Sequence, residues 1–307
     1  MFKKILFATT GTPACDAAAR VAFDMAKRYS AELTTINVFG IPSRSFSQTV
    51  IDIRTGDEVD LHDDQLETVK NELEKKYAKQ IKDYTASEIV ITVGIPHTEI
   101  LRLARKKEID LIIMGARTTA EGHGEFLNRH IVGRTLQGVA KSARCPVLMI
   151  GRSAASFWGG ISNIIFGTDF SKASDEAFNL AYTLAKTFNG SMHIFHAIDI
   201  SADPFEITKN QELIEDRIRE AREKIRTKYL SKMKGFKDYE IDVWEGIPYV
   251  EIVKYTRESF GDLIVMAHHT KKMNREEAIL GSTVEQVVLR SNAPVISFNH
   301  PTRQKQQ

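Results

Sequence analysis

Short apolar runs and amphipathic stretches alternate along this chain. Residues 4–9 (KILFAT) form an apolar run closed by Gly11-Thr12-Pro13, the pattern of a buried strand ended by a turn. Over residues 14–29, Ala18, Val21, Ala22 and Met25 recur at helical spacing, and residues 31–39 (AELTTINVF) read as the next strand. A polar stretch from 40 to about 61 shows no period and is expected to be irregular. Residues 65–84 then set Leu66, Val69, Leu73, Tyr77 and Ile81 on one stripe amid dense charge, which predicts an exposed helix with one packed face. Residues 88–94 alternate Ile89, Ile91 and Val93 with polar neighbours as a strand does, and 97–107 read as a helix. Residues 110–114 (DLIIM) are almost wholly apolar, as expected of a strand covered on both faces of a parallel sheet. Strands alternating with helices predict a doubly wound α/β sheet.

The second half repeats this order. GIPHTEILRLARKKEIDLIIMGAR from Gly94 lies over GIPYVEIVKYTRESFGDLIVMAHH from Gly246 without a gap, an offset of 246 − 94 = 152. At the opening, Thr10 meets Asp169 (169 − 10 = 159), and at the close Gly133 meets Gly281 (281 − 133 = 148). The slips fall between predicted elements, where duplicated domains accumulate insertions. Two domains follow, 1–152 and 160–300, joined by a short Gly/Ser/Ala-rich segment in which Phe157 and Trp158 serve as anchors. Each half ends in an apolar strand, 147–150 and 295–298, and pairing those strands would cover both edges in an internal pseudo-dimer. The tail from 301 to 307 is polar and expected to be disordered.

Composition narrows the class without overturning this picture. The chain has 307 residues, enough for two cores, with 42% hydrophobic and 27% charged residues and a net charge of +2. Near balance of charge argues against a polyanion-binding surface as the main function. No apolar run approaches the ~20 residues that span a bilayer, no signal peptide is evident, and the two cysteines, Cys15 and Cys145, make neither a metal spacing nor a disulfide framework. A cytoplasmic protein with two structural thiols is expected.

The candidate chemistry lies at helix starts. Gly281-Ser282-Thr283 opens a helix carrying Val284, Val287 and Val288 and stopped by Asn292-Ala293-Pro294, and Gly133 opens its counterpart before Pro146. Free N–H groups and the positive helix end suit an anion such as phosphate. Lys271, Lys272 and Arg275 near the second turn either screen phosphate or are merely exposed. His268-His269 and His62-Asp63-Asp64 suggest a metal site only weakly, since adjacent strand residues diverge and Asp before a helix caps it. His193 and His196 are three apart in a strand, face opposite ways, and are read as packed or hydrogen-bonded. Residues 212–228 form a solvated amphipathic helix on Ile214, Ile218, Ala221 and Ile225. No G-x4-G-K-[ST], G-x-G-x-x-G after a strand, or G-x-S-x-G is present, so ordinary P-loop, dinucleotide and serine-hydrolase chemistries lack support. No catalytic residue and no metal ligand is assigned.

Thr168-Asp169-Phe170-Ser171, His196-Ala197-Ile198-Asp199, Asp262 to Met266 and Leu280-Gly281-Ser282 leading to Pro294-Val295 resemble the universal stress protein family in its tandem form. In the first half the matches are residues 9–13, 110–115 and Gly133 through Cys145-Pro146-Val147. The resemblance implies tandem α/β domains of the adenine nucleotide α hydrolase type, a role in stress response, and binding of ATP or AMP, with Mg2+ where ATP is bound. Family members that bind ATP carry G-x2-G-x9-G-[ST] after the fourth strand and an acid after the first. Carried over to the second half, Thr168 and Asp169 supply the acid turn, Ala197 lies beside adenine, and Met266 and His269 line the site. Gly281, Ser282 and Thr283 hold phosphate there. Ala267 and Thr270 replace the first two glycines. In the first half Thr10 replaces the acid, Val38 takes the adenine position, Gly115 and Gly133 remain, and Thr118 and Arg134 stand where glycine and hydroxyl belong. Arg134 offers a charge-assisted contact, and Gly122-His123-Gly124 lengthens that loop. The alternatives are a scaffold with degenerate sites, with intramolecular pairing and a possible homodimer presenting a surface to a protein partner, or an enzyme of the wider nucleotide-binding superfamily acting on a small molecule.

Overall fold

The computed structural model describes residues 2–42, 49–53, 55–60, 63–116, 118–119, 131–151, 160–200, 211–268 and 282–299. It divides into two compact units, Met1–Ala155 and Ser156–Gln307. In the first, β1 (Lys4–Ala8), α1 (Asp16–Tyr29), β2 (Glu32–Val38), a three-stranded insert β3 (Gly40–Pro42), β4 (Thr49–Asp52) and β5 (Glu58–Asp60), α2 (Asp63–Lys76) and α3 (Ala78–Asp83) follow in order. Then come β6 (Ser87–Thr92), α4 (Pro96–Lys107), β7 (Leu111–Gly115), a small hairpin of β8 (Thr118–Thr119) and β9 (Ile131–Val132), α5 (Arg134–Ser142) and β10 (Val147–Ile150). The main sheet is parallel, in the order β10-β7-β1-β2-β6.

The second unit repeats the plan with β11 (Asn163–Gly167), α6 (Lys172–Phe188), β12 (Ser191–Asp199), α7 (Gln211–Lys228), β13 (Tyr239–Gly246), α8 (Pro248–Glu258), β14 (Leu263–His268), α9 (Ser282–Arg290) and β15 (Val295–Asn299). Its strands lie parallel in the order β15-β14-β11-β12-β13, the order of the first unit position by position. The predicted duplication and doubly wound class are therefore the observed architecture.

Duplication extends to single contacts. Asp110 Oδ2 accepts from the Lys3 and Lys4 amides at 2.8 and 3.0 Å, and Asp262 Oδ2 accepts from the Ser162 and Asn163 amides, both at 2.9 Å. Each carboxylate fastens the start of its unit's first strand to the start of the fourth, a charge-assisted pair of bonds. Central strands are buried throughout, with Ile5, Leu6, Phe7, Leu111, Ile112 and Ile113 matched by Ile164, Ile165, Phe166, Leu263, Ile264 and Val265.

Two expectations need correction. Within the segment from 40 to 61, the described strands are regular: Ile41 pairs with Ile51 and Val50 with Val59 in an antiparallel insert whose buried Val50 packs on Phe39 and Val69. Each strand there is three or four residues long, too short for its alternation to stand out from its polar setting. The stripe from 65 to 84 spans two helices, because the chain bends at Tyr77 (φ −101°, ψ 15°), whose fully buried ring is held by Thr9. Tertiary packing of one aromatic overrides a continuous helical period. Among the described residues, no helix is long and apolar enough to cross a membrane.

Candidate functional site

The chain leaves β11 toward β12 on one side and returns by β14 on the other, so the strand order reverses between β11 and β14. Ligands of open α/β sheets bind in the crevice beyond the carboxyl ends of strands at such a reversal. Gly167, the last residue of β11, is in register with Phe195 on one neighbour and Met266 on the other. Asp169 and Ala197 each stand two residues past a registered pair, so they reach the crevice at one level. Helix α9 crosses over between parallel strands β14 and β15, so its start at Ser282 and Thr283 lies on the same side.

The Thr168–Ser174 turn at this crevice is densely bonded. Thr168 Oγ1 shares a 2.7 Å hydrogen bond with the Tyr229 hydroxyl and accepts from the Phe170 amide at 3.0 Å, while Phe170 takes a left-handed φ of +61°. Asp169 is exposed. Its Oδ1 accepts from the Ser171 amide at 2.9 Å and from the Ser174 hydroxyl at 2.5 Å, and Ser171 caps α6 by accepting from the Ser174 amide. Burial raises the carboxyl pKa, but these hydrogen bonds outweigh it and hold the group below its ordinary value, so Asp169 is an anion at neutral pH. Those contacts use one carboxylate oxygen; Oδ2 makes none of them.

An aromatic and cationic cluster backs the turn. The Phe170 ring lies 4.5 Å from His196 and 6.4 Å from Tyr229, and Lys224 Nζ stands 4.4 Å over it. Lys228 Nζ donates to the Phe170 carbonyl at 2.6 Å and pairs with Asp175 at 2.9 Å. Nothing in the sequence reading used Tyr229, Lys224 or Lys228 for this site. The available signal was the repeat itself, since Tyr229 and Tyr77 are 152 apart (229 − 77) and Tyr77 shares the matching 2.9 Å hydrogen bond with Thr9.

In the first unit the position equivalent to Asp169 holds Thr10, which carries no charge. Thr10 Oγ1 is 2.9 Å from Thr12 Oγ1 and 3.4 Å from Cys15 Sγ, so the hydroxyl is engaged inside its own turn. Val38 ends β2 almost fully buried. Gly115 ends β7, where an added Cβ would sit 3.2 Å from the Ala14 carbonyl oxygen and 3.7 Å from Ala18 Cβ. That glycine lets the turn before α1 pack against the strand, which accounts for it without a ligand. Gly133 is different: φ is −58° and an added Cβ meets nothing within 4 Å. Gly115→Ala is expected to cost about 1 kcal/mol by crowding, and Gly133→Ala to change stability by less than about 0.5 kcal/mol, a contrast that chemical denaturation of both variants checks.

Of the predicted site residues, Thr168, Asp169, Ala197 and Met266 come together around the ends of β11, β12 and β14, with Thr283 in the first turn of α9. Ser282 begins α9. His269, Thr270, Lys271, Lys272, Arg275 and Gly281 lie outside the described residues, as do His62, Gly122, His123, Gly124, Phe157, Trp158 and the tail. His193 and His196 are hydrogen-bonded on opposite faces, His193 Nδ1 lying 3.1 Å from the Tyr255 hydroxyl and His196 Nδ1 2.8 Å from the Thr168 carbonyl. His268 Nδ1 lies 2.7 Å from Ser297 Oγ. Burial pushes the Cys145 thiol up to about 12, which fits a structural thiol. No cluster of three metal-ligating side chains occurs among the described residues.

Sequence and fold comparisons converge on this architecture. The profile of the universal stress protein family matches twice, over residues 1–151 and 160–298, so the chain belongs to that family and carries two of its domains in tandem. A universal stress protein of Methanocaldococcus jannaschii is 30% identical over 158 residues, 49% of this chain and 82% of its own length. A second from the same organism is 36% identical over 88 residues, 28% of this chain and 46% of its own. The crystal structure of a universal stress protein from Archaeoglobus fulgidus superposes with a TM-score of 0.66 at 20% identity, over 97% of this chain and 96% of that one, which shows a shared fold along the whole length.

Proposed function

We propose that this protein serves a cytoplasmic stress response by binding an adenine nucleotide, ATP or AMP, in its second domain. The observation that carries the proposal is Asp169: an exposed, ionised carboxylate beyond β11, with one oxygen fixed by Ser171 and Ser174 and the other directed by that fixation. Such a group suits the hydroxyls of a ribose, the partly exposed Ala197 leaves backbone accessible to an adenine edge, and the start of α9 suits phosphate. Mg2+ enters with ATP on the phosphates. The first domain, with Thr10 engaged and Gly115 packed, is assigned the weaker site. Nothing in this reading requires catalysis.

A second reading has one observation in its favour. Asp169 already does structural work as part of the α6 cap, so the turn could persist with no ligand in a domain that only presents a surface. Calorimetric titration with ATP and AMP separates the two. Asp169→Asn keeps an oxygen acceptor for the cap and removes the charge, so affinity is expected to fall about tenfold with little change in stability, whereas Thr10→Ala leaves affinity unchanged. Absence of heat and of thermal shift in the wild type with either nucleotide removes the proposal.

A further inference from the structure

His196 stands between the two residues that flank Asp169. Its Nδ1 lies 2.8 Å from the Thr168 carbonyl oxygen, and its ring packs 4.5 Å from that of Phe170. A carbonyl only accepts, so Nδ1 carries the hydrogen, and in the neutral ring Nε2 is bare. The imidazole therefore grips the turn at both ends of the carboxylate it presents. Phe170 needs such support, because its φ of +61° is costly for a residue with a Cβ.

The first domain performs the same bond without a titratable group. Asn37, at the position equivalent to His196 (196 − 159 = 37), donates Nδ2–H to the Thr9 carbonyl at 2.9 Å, and Gly11 (170 − 159 = 11) takes the left-handed position with φ +72°. The hydrogen bond alone therefore explains neither the imidazole nor the aromatic ring. What the second domain adds is a titratable group, packed on a residue with a strained backbone angle in the turn that carries the site's acid.

We propose that His196 is a positioning residue that makes the second site pH-dependent: neutral, it holds the Thr168–Phe170 turn that presents Asp169, and protonated, it releases that turn and weakens nucleotide binding. This rests on the nucleotide reading of the second domain.

Among the described residues, the charged groups facing His196 are Asp169 from its own turn, Lys224 and Lys228 from α7, and Glu245 on β13. Glu245 is two residues past Val243, which is in register with His196, so it shares that face. A proton on Nε2 would place an imidazolium in a half-buried cluster that already holds the Lys224 ammonium over Phe170. Burial is the largest effect depressing the His196 pKa, Lys224 adds to it, and the Thr168 carbonyl and Asp169 oppose it without prevailing. The held turn thus binds a proton less well than a released turn, in which the histidine would titrate near 6.5. Linkage then fixes the sign: the held state is fully favoured above that value and loses ground as pH falls below it.

AMP affinity measured by calorimetry from pH 7.5 to 5.0 tests this on the full chain, with His196→Asn copying the Asn37 arrangement. AMP titrates equally for both proteins, so their ratio is the readout. Wild type is expected to lose several-fold more affinity than His196→Asn across the range, and Lys224→Gln, which lacks a cation opposing protonation of the held turn, to lose less than wild type. Hydrogen exchange of residues 168–174 without nucleotide supplies a second measure: corrected for intrinsic rates, protection should drop with pH in wild type and stay level in His196→Asn. Should His196→Asn fail to fold, an unmoved pH profile in Lys224→Gln would overturn the inference. Binding with superimposable pH profiles in wild type and His196→Asn would overturn it while leaving nucleotide binding intact. No AMP binding at any pH would remove the nucleotide reading instead.

Discussion

Replacing Tyr229 by alanine is expected to destabilise the second domain by about 3–5 kcal/mol, the range for deleting a buried aromatic side chain. The residue is fully buried, with its ring 4.8 Å from Phe178 and 5.3 Å from Phe166, and its hydroxyl holds Thr168 Oγ1 at 2.7 Å. Alanine removes the ring from the centre of that cluster and leaves a cavity under the turn that carries Asp169. Tyr229→Phe isolates the polar part. It keeps the packing and removes one buried hydrogen bond, with Thr168 Oγ1 still accepting from the Phe170 amide, so about 1–2 kcal/mol is expected. Two domains in one chain need not unfold as one unit, so hydrogen exchange read peptide by peptide is the suitable measurement. Protection should fall across β11, α6 and α7 and persist over β1, α1 and β2. A uniform loss in both domains, or an alanine variant no weaker than the phenylalanine one, would contradict this account.

The two tyrosines also show where the sequence was readable and where it was not. Strand and helix types followed from the apolar periods, and the duplication followed from the gapless match around Gly94 and Gly246, because those elements repeat both spacing and residue type. Tyr77 and Tyr229 were in plain view as an aligned pair. Yet a tyrosine on an amphipathic stripe reads as ordinary core, and its hydroxyl partner, Thr9 or Thr168, is more than sixty positions away, 68 and 61 residues respectively. Long-range polar pairing has no local period.

The site divides in the same manner. The place of Asp169, an acid just past the first strand of its unit, was legible from the repeat. Its double use was not, since capping of α6 by Ser171 and the fixing of Oδ1 by Ser174 depend on how the turn closes. Gly115 has a packing role that its place in a ligand pattern did not reveal: Ala14 and Ala18 approach it closely. His196 was read as hydrogen-bonded, which it is, but its contact with Phe170 and the Asn37 counterpart become meaningful only when both domains are compared.

Gly246→Ala is the second large effect, expected at about 2–4 kcal/mol in the second domain, and Gly94→Ala should do the same in the first. Gly246 ends the edge strand of its sheet and Gly94 lies two residues past the end of its own, with φ of +145° and +148°, a region that a residue with a Cβ avoids. An added Cβ at Gly246 would also lie 2.6 Å from Glu251 Cγ and Oε1, and one at Gly94 would lie 2.6 Å from Glu99 Oε1. The two costs differ in kind. The glutamate is a side chain that can swing away, whereas the backbone angle is fixed by the turn into the proline at the first position of the next helix, Pro248 or Pro96. The double variant Gly246→Ala/Glu251→Ala should therefore recover only the steric share, leaving a loss of about 1–2 kcal/mol from strain. Urea denaturation of the two single variants and the double variant measures the coupling. Full recovery in the double variant would mean that the turn accepts alanine and that crowding alone selects glycine, while no recovery would mean that the glutamate already yields.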